Sequence, residues 1–321
     1  MAKKSAPRHG SMQFWPRKRS KRHFARVRSF VKSDEVKPAG FAGYKIGMTH
    51  ITVVDNRKNS LTKGEELTFP VTLVEVPNLF VYGVRLYKQT DDGLKIVSER
   101  VVKAPKNLLK RGPFSKKLSE KDLEEDADVV RLLVSTMPEK TNIGKKTAEV
   151  FELEMSGSFD EALKYALEKL GKEIAVDEVF KELDLVDVHS VTKGKGFQGP
   201  VKRFGVTLRS HKSEKVRRGP GSLGAWLASV RQFRVAHAGQ MGYHQRVDYN
   251  KQIVAFLEPE KVQVKGGILH YGFPKSKVML LKGSIPGSKK RLLRFTLQLR
   301  PARKVFTQPV EIVEISLRSQ Q

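Results

Sequence analysis

The chain of 321 residues carries 61 Lys and Arg against 34 Asp and Glu, a net charge of +27, with 39% hydrophobic residues and no Cys. This length accommodates one large domain or two, and the lack of Cys excludes a disulfide framework and thiolate metal sites while fitting a reducing compartment. No run reaches the ~18 apolar residues of a membrane helix, and residues 1–32 lack the apolar block of a secretory signal.

The charge is segregated. Residues 119–188 hold 19 acidic and 9 basic residues. Residues 1–32 hold 11 Lys and Arg and no acid; residues 193–246 hold 12, with Glu214 as the single acid; residues 274–304 hold 10 and no acid. Like charge packed at that density calls for a polyanion, and nucleic acid is the leading candidate. An anionic membrane surface would call for an amphipathic helix with a wide apolar face, which the basic segments do not offer.

Taken in chain order, residues 1–38 read as an extended basic arm. Pro7, Gly10 and Pro16 break it, and aromatic and basic residues alternate around Phe14, Trp15, Arg17, Lys18, Arg19, Lys21 and Arg22. Such a segment has too little apolar area to offset its ordering entropy, so it is expected to order on a partner. Strand-like runs rich in Val, Thr, Leu, Tyr and Phe follow at 44–55, 69–76, 80–88 and 94–102. The acidic middle is predicted to hold strands at 129–136 and 148–155. A helix with Ser158 as N-cap follows, carrying the stripe Phe159, Leu163, Ala166, Leu167 and Leu170 and ending at Gly171. A second helix is expected over 174–183, so that this insertion has its own core and faces away from the polyanion.

A strand at 185–191 precedes a long excursion at 193–246, which holds nine of the 25 glycines and few aliphatic residues. A loop of that length is functional or disordered as a rule, and the pattern suggests a two-legged finger. Strand-like runs then return at 252–257, 278–282, 292–299 and 310–317. The fold class is therefore mainly β with an α+β insertion, one barrel or sandwich interrupted by excursions. The expected division is an arm at 1–38, a first barrel part at 39–114, an acidic insertion at 115–186, a barrel strand with the basic extension at 187–250, and barrel completion at 251–321.

Gly194, Gly196 and Gly199 spell G-x-G-x-x-G. A dinucleotide site would need a helix from the third glycine inside a βαβ unit. Here Pro200, Lys202 and Arg203 follow with no apolar helical period. The alternative is close backbone approach to phosphates, with Lys193, Lys195, Lys202 and Arg203 supplying charge beside Phe197. His211, His237, His244 and His270 match no metal-ligand spacing. No nucleophile, base and orienter set is evident, so neither an enzyme nor a cofactor is expected. Trp226 sits in a Gly-rich stretch among Arg217, Arg218, Arg231 and Arg234, either as a packing anchor or as a ring stacking on RNA bases. Trp15 poses the same choice. His244, Arg246, Lys289, Lys290 and Arg291 complete the expected contact set.

Five stretches in order make the chain resemble the large-subunit ribosomal protein L three family (universal protein uL three), archaeal type. They are GFAGYKIGMT at 40–49, VTKGKGFQG at 191–199, GPGSLGAW at 219–226, HAGQMGYHQRV at 237–247 and PGSKKRLL at 286–293. The resemblance implies a six-stranded translation-protein-type β-barrel with long basic extensions. It also implies direct binding to large-subunit ribosomal RNA, an early role in subunit assembly, and a cytoplasmic place in the ribosome beside neighbouring large-subunit proteins. The central extension would run toward the peptidyl-transferase region with Trp226 at its tip. No membrane and no small-molecule substrate is implied. The rival reading is a translation or assembly factor that visits RNA transiently; two long basic excursions favour permanent embedding.

Overall fold

Runs of β-branched and aromatic residues become strands, and strands dominate the structure. This computed structural model describes residues 7–57, 59–103, 105–110, 127–212, 216–223, 234–300, 306, 308 and 310–318. In chain order the elements are β1 (Gly40–Val54), β2 (Glu66–Glu75), β3 (Leu79–Thr90), β4 (Gly93–Val101), α1 (Lys106–Leu109), β5 (Val129–Thr136), β6 (Val150–Glu154), α2 (Phe159–Glu168) and β7 (Glu173–Ile174). They continue with β8 (Leu185–Val191), β9 (Phe197–Gln198), α3 (Pro200–Phe204), β10 (Gly239–Gln240), β11 (Gln245–Leu257), β12 (Val278–Lys282), β13 (Leu292–Leu297) and β14 (Ile312–Ile315). The chain forms two compact units, Met1–His23 with Val191–Arg246, and Phe24–Ser190 with Val247–Gln321.

The larger unit holds two sheets. In the first, strands follow the order β13-β8-β11-β12-β2-β1-β14. β13 also pairs with the start of β1, Gly40 opposite Thr296, while β14 pairs with the later part of β1, Ile51 opposite Ile315. The hydrogen-bonded path therefore returns to the strand from which it began. The second sheet has the order β4-β3-β5-β6, with β7 on β3. The strands expected at 80–88 and 94–102 form, yet β3 pairs here with β5 of the acidic segment and β4 with β3, rather than with β1 and β2.

Period-two alternation sends apolar side chains to both faces of the first sheet. Along β12, Met279 and Leu281 join one buried cluster, and Val278 and Leu280 join another. The first cluster runs on into the second sheet through Leu132, Phe151 and Leu153, and includes Ala162 and Ala166 of α2. The acidic insertion thus shares most of its core with the first sheet, while a smaller separate cluster joins its Leu133 and Ala148 to Tyr82 and Leu108. α2 starts after Ser158, whose hydroxyl donates to Glu161 Oε2 at 2.8 Å, and its first turn carries Asp160 and Glu161 where the helix dipole favours acids. Leu167 is exposed, off the buried face.

The second helix expected over 174–183 does not form. Glu173–Ile174 pairs with β3, and a single 3-10 turn spans Val176–Glu178. β-branched Ile174, Val176 and Val179 are weak helix formers, and Leu183 has φ +72°. Val176, Val179 and Phe180 are nevertheless buried.

Buried polar groups fix the strands in place. Glu75 accepts from the backbone amides of Lys275 and Ser276 at 2.7 and 2.8 Å and from the Tyr271 hydroxyl. Arg294 is 4% exposed, donates to the Glu152 carbonyl at 2.7 Å and lies 4.4 Å from the Phe151 ring centre. Burial pulls its pKa down to about 9, with Glu152 opposing.

Candidate nucleic-acid interface

The smaller unit has no Asp or Glu among its described residues. Its two legs pair through β9 and β10, with Gln198 opposite Gly239 and Phe197 opposite Gln240. Backbone bonds extend the ribbon: Lys195 N–H to Met241 O at 3.0 Å, Met241 N–H to Gly196 O at 2.9 Å, and Thr192 N–H to His244 O at 2.9 Å. Gly242 turns one leg with φ +72°, and a Cβ there would meet the Lys193 carbonyl at 2.0 Å. Only glycine fits that approach.

Gly194, Gly196 and Gly199 all lie on the first leg. No apolar helical period follows them, yet α3 begins directly after Gly199, with Pro200 at its start and Gly205 in the left-handed conformation at its end. Pro is well suited to the first helical turn, where its missing N–H costs nothing. This five-residue helix follows an antiparallel ribbon, not a parallel βαβ crossover, so the geometry of a dinucleotide site is not built.

The arm packs against this ribbon. Ser20 N–H donates to Tyr243 O at 2.8 Å, and His244 Nδ1 faces the Lys18 carbonyl at 3.0 Å, so that nitrogen carries the proton. Tyr243 OH and His23 Nδ1 share a hydrogen bond. Guanidinium groups stack on rings throughout. Arg17 lies 4.8 Å from the Trp15 ring centre and 4.6 Å from that of Phe204. Arg203 lies 4.9 Å from Phe204, Arg246 is 4.6 Å from Phe14, and Arg19 is 5.1 Å from Tyr243. Cation–π contacts replace the aliphatic core this segment lacks, which is why an arm expected to order on a partner packs within its own chain.

These contacts also bring like charges together. Arg17 titrates below its ordinary value through burial and the repulsion of Arg203, Arg8 and Arg246. Burial likewise lowers Arg203 and Arg246. His244 is lowered by burial and by Arg246, Arg203 and Arg17, against the opposing bond to Lys18. Among the described residues of the unit no carboxylate offsets this repulsion.

Of the expected contact residues, Lys18, Arg19, Lys21, Arg22, Lys193, Lys195, Lys202, Arg217, Arg218 and Arg234 have exposed side chains. Phe197 is an aromatic 76% exposed on β9. Arg203 is more structural than expected, holding His237 O at 2.9 Å and Gln240 O at 3.1 Å. Trp226 and Arg231 lie outside the described residues. Lys289, Lys290 and Arg291 belong to the larger unit, on the turn before β13. Phe14, Phe204 and Tyr243 were absent from the expected set, and of the three only Phe204 stands directly beside Lys or Arg in the sequence.

The acidic residues have the opposite arrangement. In the second sheet Arg85 pairs with Glu99 at 2.5 Å and Glu152 at 2.6 Å, and Arg131 with Glu154 at 2.9 Å. Lys140 pairs with Glu173 at 2.7 Å and Lys169 with Glu178 at 2.6 Å. Several acids of the larger unit are thus paired in place, while no carboxylate stands among the described residues of the smaller unit. No group of residues suited to hold a metal ion occurs among the described residues, and no helix among them is long and apolar enough to cross a membrane.

A family model described as "Ribosomal protein L3" matches residues 1–319. Among similar curated proteins, the "Large ribosomal subunit protein uL3" of Archaeoglobus fulgidus is 44% identical, with 98% of each chain covered. That of Methanosphaera stadtmanae is 42% identical over 100% of this chain and 99% of its own. That of Nanoarchaeum equitans is 42% identical over 93% of each. Their name is that of a ribosomal protein and not of an enzyme.

Proposed function

The chain belongs to the ribosomal protein L3 family and is a large-subunit ribosomal protein, and from that premise we propose that it binds large-subunit ribosomal RNA directly as a permanent structural constituent. The observation that carries this reading is a unit of stacked guanidinium groups with no carboxylate among its described residues. Arg17, Arg203 and Arg246 repel one another across Trp15, Phe204 and Phe14, and RNA phosphates supply the missing counter-charge. Exposed Phe197 offers a ring for base stacking. Gly194, Gly196 and Gly199 leave the backbone of the first leg open to phosphates.

The finer features rest on the family resemblance and the pairing pattern. The six strands β1, β2, β12, β11, β8 and β13 serve as a closed barrel, supported by the β13–β1 pairing. The division into arm, barrel, acidic insertion and extension follows the charge segregation. The extension reaches toward the peptidyl-transferase region with Trp226 and Arg231 near its tip, and the protein joins the cytoplasmic ribosome early in subunit assembly. Lys289, Lys290 and Arg291 add a second basic contact.

Sedimentation tests permanence. The protein should remain with large subunits through a high-salt wash. Release at moderate salt would instead identify a factor that visits transiently.

A further inference from the structure

The larger unit contains a cavity of about 190 Å³ that the function described so far does not use. Its apolar wall is built by Leu73, Val262 and Ile268, and its polar side by Lys289 and Arg318, with Gly47 lining it from β1. No Asp or Glu lines it. The volume lies below the roughly 300 Å³ from which drug-sized ligand sites begin, so it suits one planar ring system.

Gly47 is the informative residue. It sits inside a long strand, where glycine weakens the sheet and needs a reason. One reason is the bulge at which β1 slips register against β2 between Lys45 and Gly47; steric need is not another. Its φ is not in the left-handed region, and a Cβ would meet Lys289 Cε at 3.7 Å, Ile268 Cγ2 at 3.8 Å and Lys289 Nζ at 4.0 Å, ordinary contacts. Nothing in the fold forbids a side chain. What a longer side chain would do is grow into the cavity, so glycine keeps that space open.

The cations name the occupant. Lys289 spends one of its three donors on the Leu269 carbonyl at 2.8 Å, leaving two for an anion. The turn that carries it is held rigidly: Lys290 N–H donates to Lys45 O at 2.7 Å and Lys45 N–H to Arg291 O at 3.0 Å. Lys45 Nζ, itself buried, donates to Ile285 O at 2.6 Å. A slot with an apolar wall, polar Thr49, His50 and Ser316, and cations at its edge matches a base with its phosphate attached. We propose that this cavity receives a single nucleotide extruded from the bound RNA, its base against Leu73, Val262 and Ile268 and its phosphate at Lys289 and Arg318. This rests on the RNA-binding reading above.

The test compares full-length wild type with Gly47→Leu on deproteinised large-subunit RNA, by filter binding and by base-specific chemical probing. The wild type should protect at least one unpaired base, and Gly47→Leu should lose that protection and bind about tenfold more weakly, with the remaining footprint intact. Arg318→Met, an exposed change, should weaken the same protection even if Gly47→Leu fails to fold. Unchanged protection and affinity in both variants would overturn the inference while leaving RNA binding in place. Loss of a neighbouring protein from reconstituted particles without any change in base protection would assign the cavity to a protein side chain and overturn it too. No RNA binding by the wild type would remove the underlying reading instead.

Discussion

The guanidinium carbon of Arg17 lies 4.6 Å from the centre of the Phe204 ring, joining the N-terminal arm to the helix that follows the glycine-rich leg. One charged side chain thereby orders two segments that sequence reading kept apart. It also places positive charge where Arg203 already stands.

Arg17→Ala should undo both effects. Affinity for ribosomal RNA falls, and the log–log salt slope becomes shallower by about 0.7–0.9, the contribution of one phosphate. Arg17→Lys keeps the charge but not the planar stack, so it should restore the slope and not the packing of the arm. Filter binding over a salt series reads the first, and proteolysis of the arm reads the second.

Gly242→Ala should open the ribbon. The new Cβ meets the Lys193 carbonyl at 2.0 Å, and φ +72° is costly for alanine. Amide hydrogen exchange at Lys195 and Met241 should accelerate, with no change in the core of the larger unit.

Lys45 is a structural cation, not an RNA contact. Lys45→Met leaves the Ile285 carbonyl without its donor and costs about 2 kcal/mol. Thermal denaturation should show a midpoint several degrees lower. Loosening of the turn bearing Lys289, Lys290 and Arg291 should also weaken RNA binding.

Stability should depend on acid through His189. Burial, with Arg294 adding repulsion, pulls its pKa down to about 4. The unfolded chain, near the ordinary value of about 6.5, takes up the proton first as pH falls. Stability present above about 6.5 is therefore lost toward pH 4, on the order of 2 kcal/mol. Urea unfolding across that range should show the loss, and His189→Gln should flatten it.

Local signals in the sequence carried most of the fold. The strands expected at 129–136, 185–191 and 278–282 coincide with β5, β8 and β12, because buried β-branched runs bounded by polar residues are unambiguous. α2 begins after Ser158 as expected but ends at Glu168, three residues before Gly171, whose amide bonds Val81 O instead. What escaped was long-range. Pairing of β3 with β5 depends on partners far along the chain. The stretch at 174–183 has helical spacing, but the Ile174 backbone is used by β3. At the interface the basic residues were legible from charge alone, whereas Phe14, Phe204 and Tyr243 were not, since cation–π contacts between distant segments leave no periodic mark. Gly47 gave no signal beyond being a glycine in a strand.

The central claim is that ribosomal RNA supplies the counter-charge missing from the smaller unit. Equilibrium binding of the full chain to large-subunit RNA over a salt series tests it most directly. The account predicts an affinity that falls steeply with salt, by roughly 0.7–0.9 log units per tenfold increase for each phosphate neutralised. An affinity indifferent to salt would contradict it.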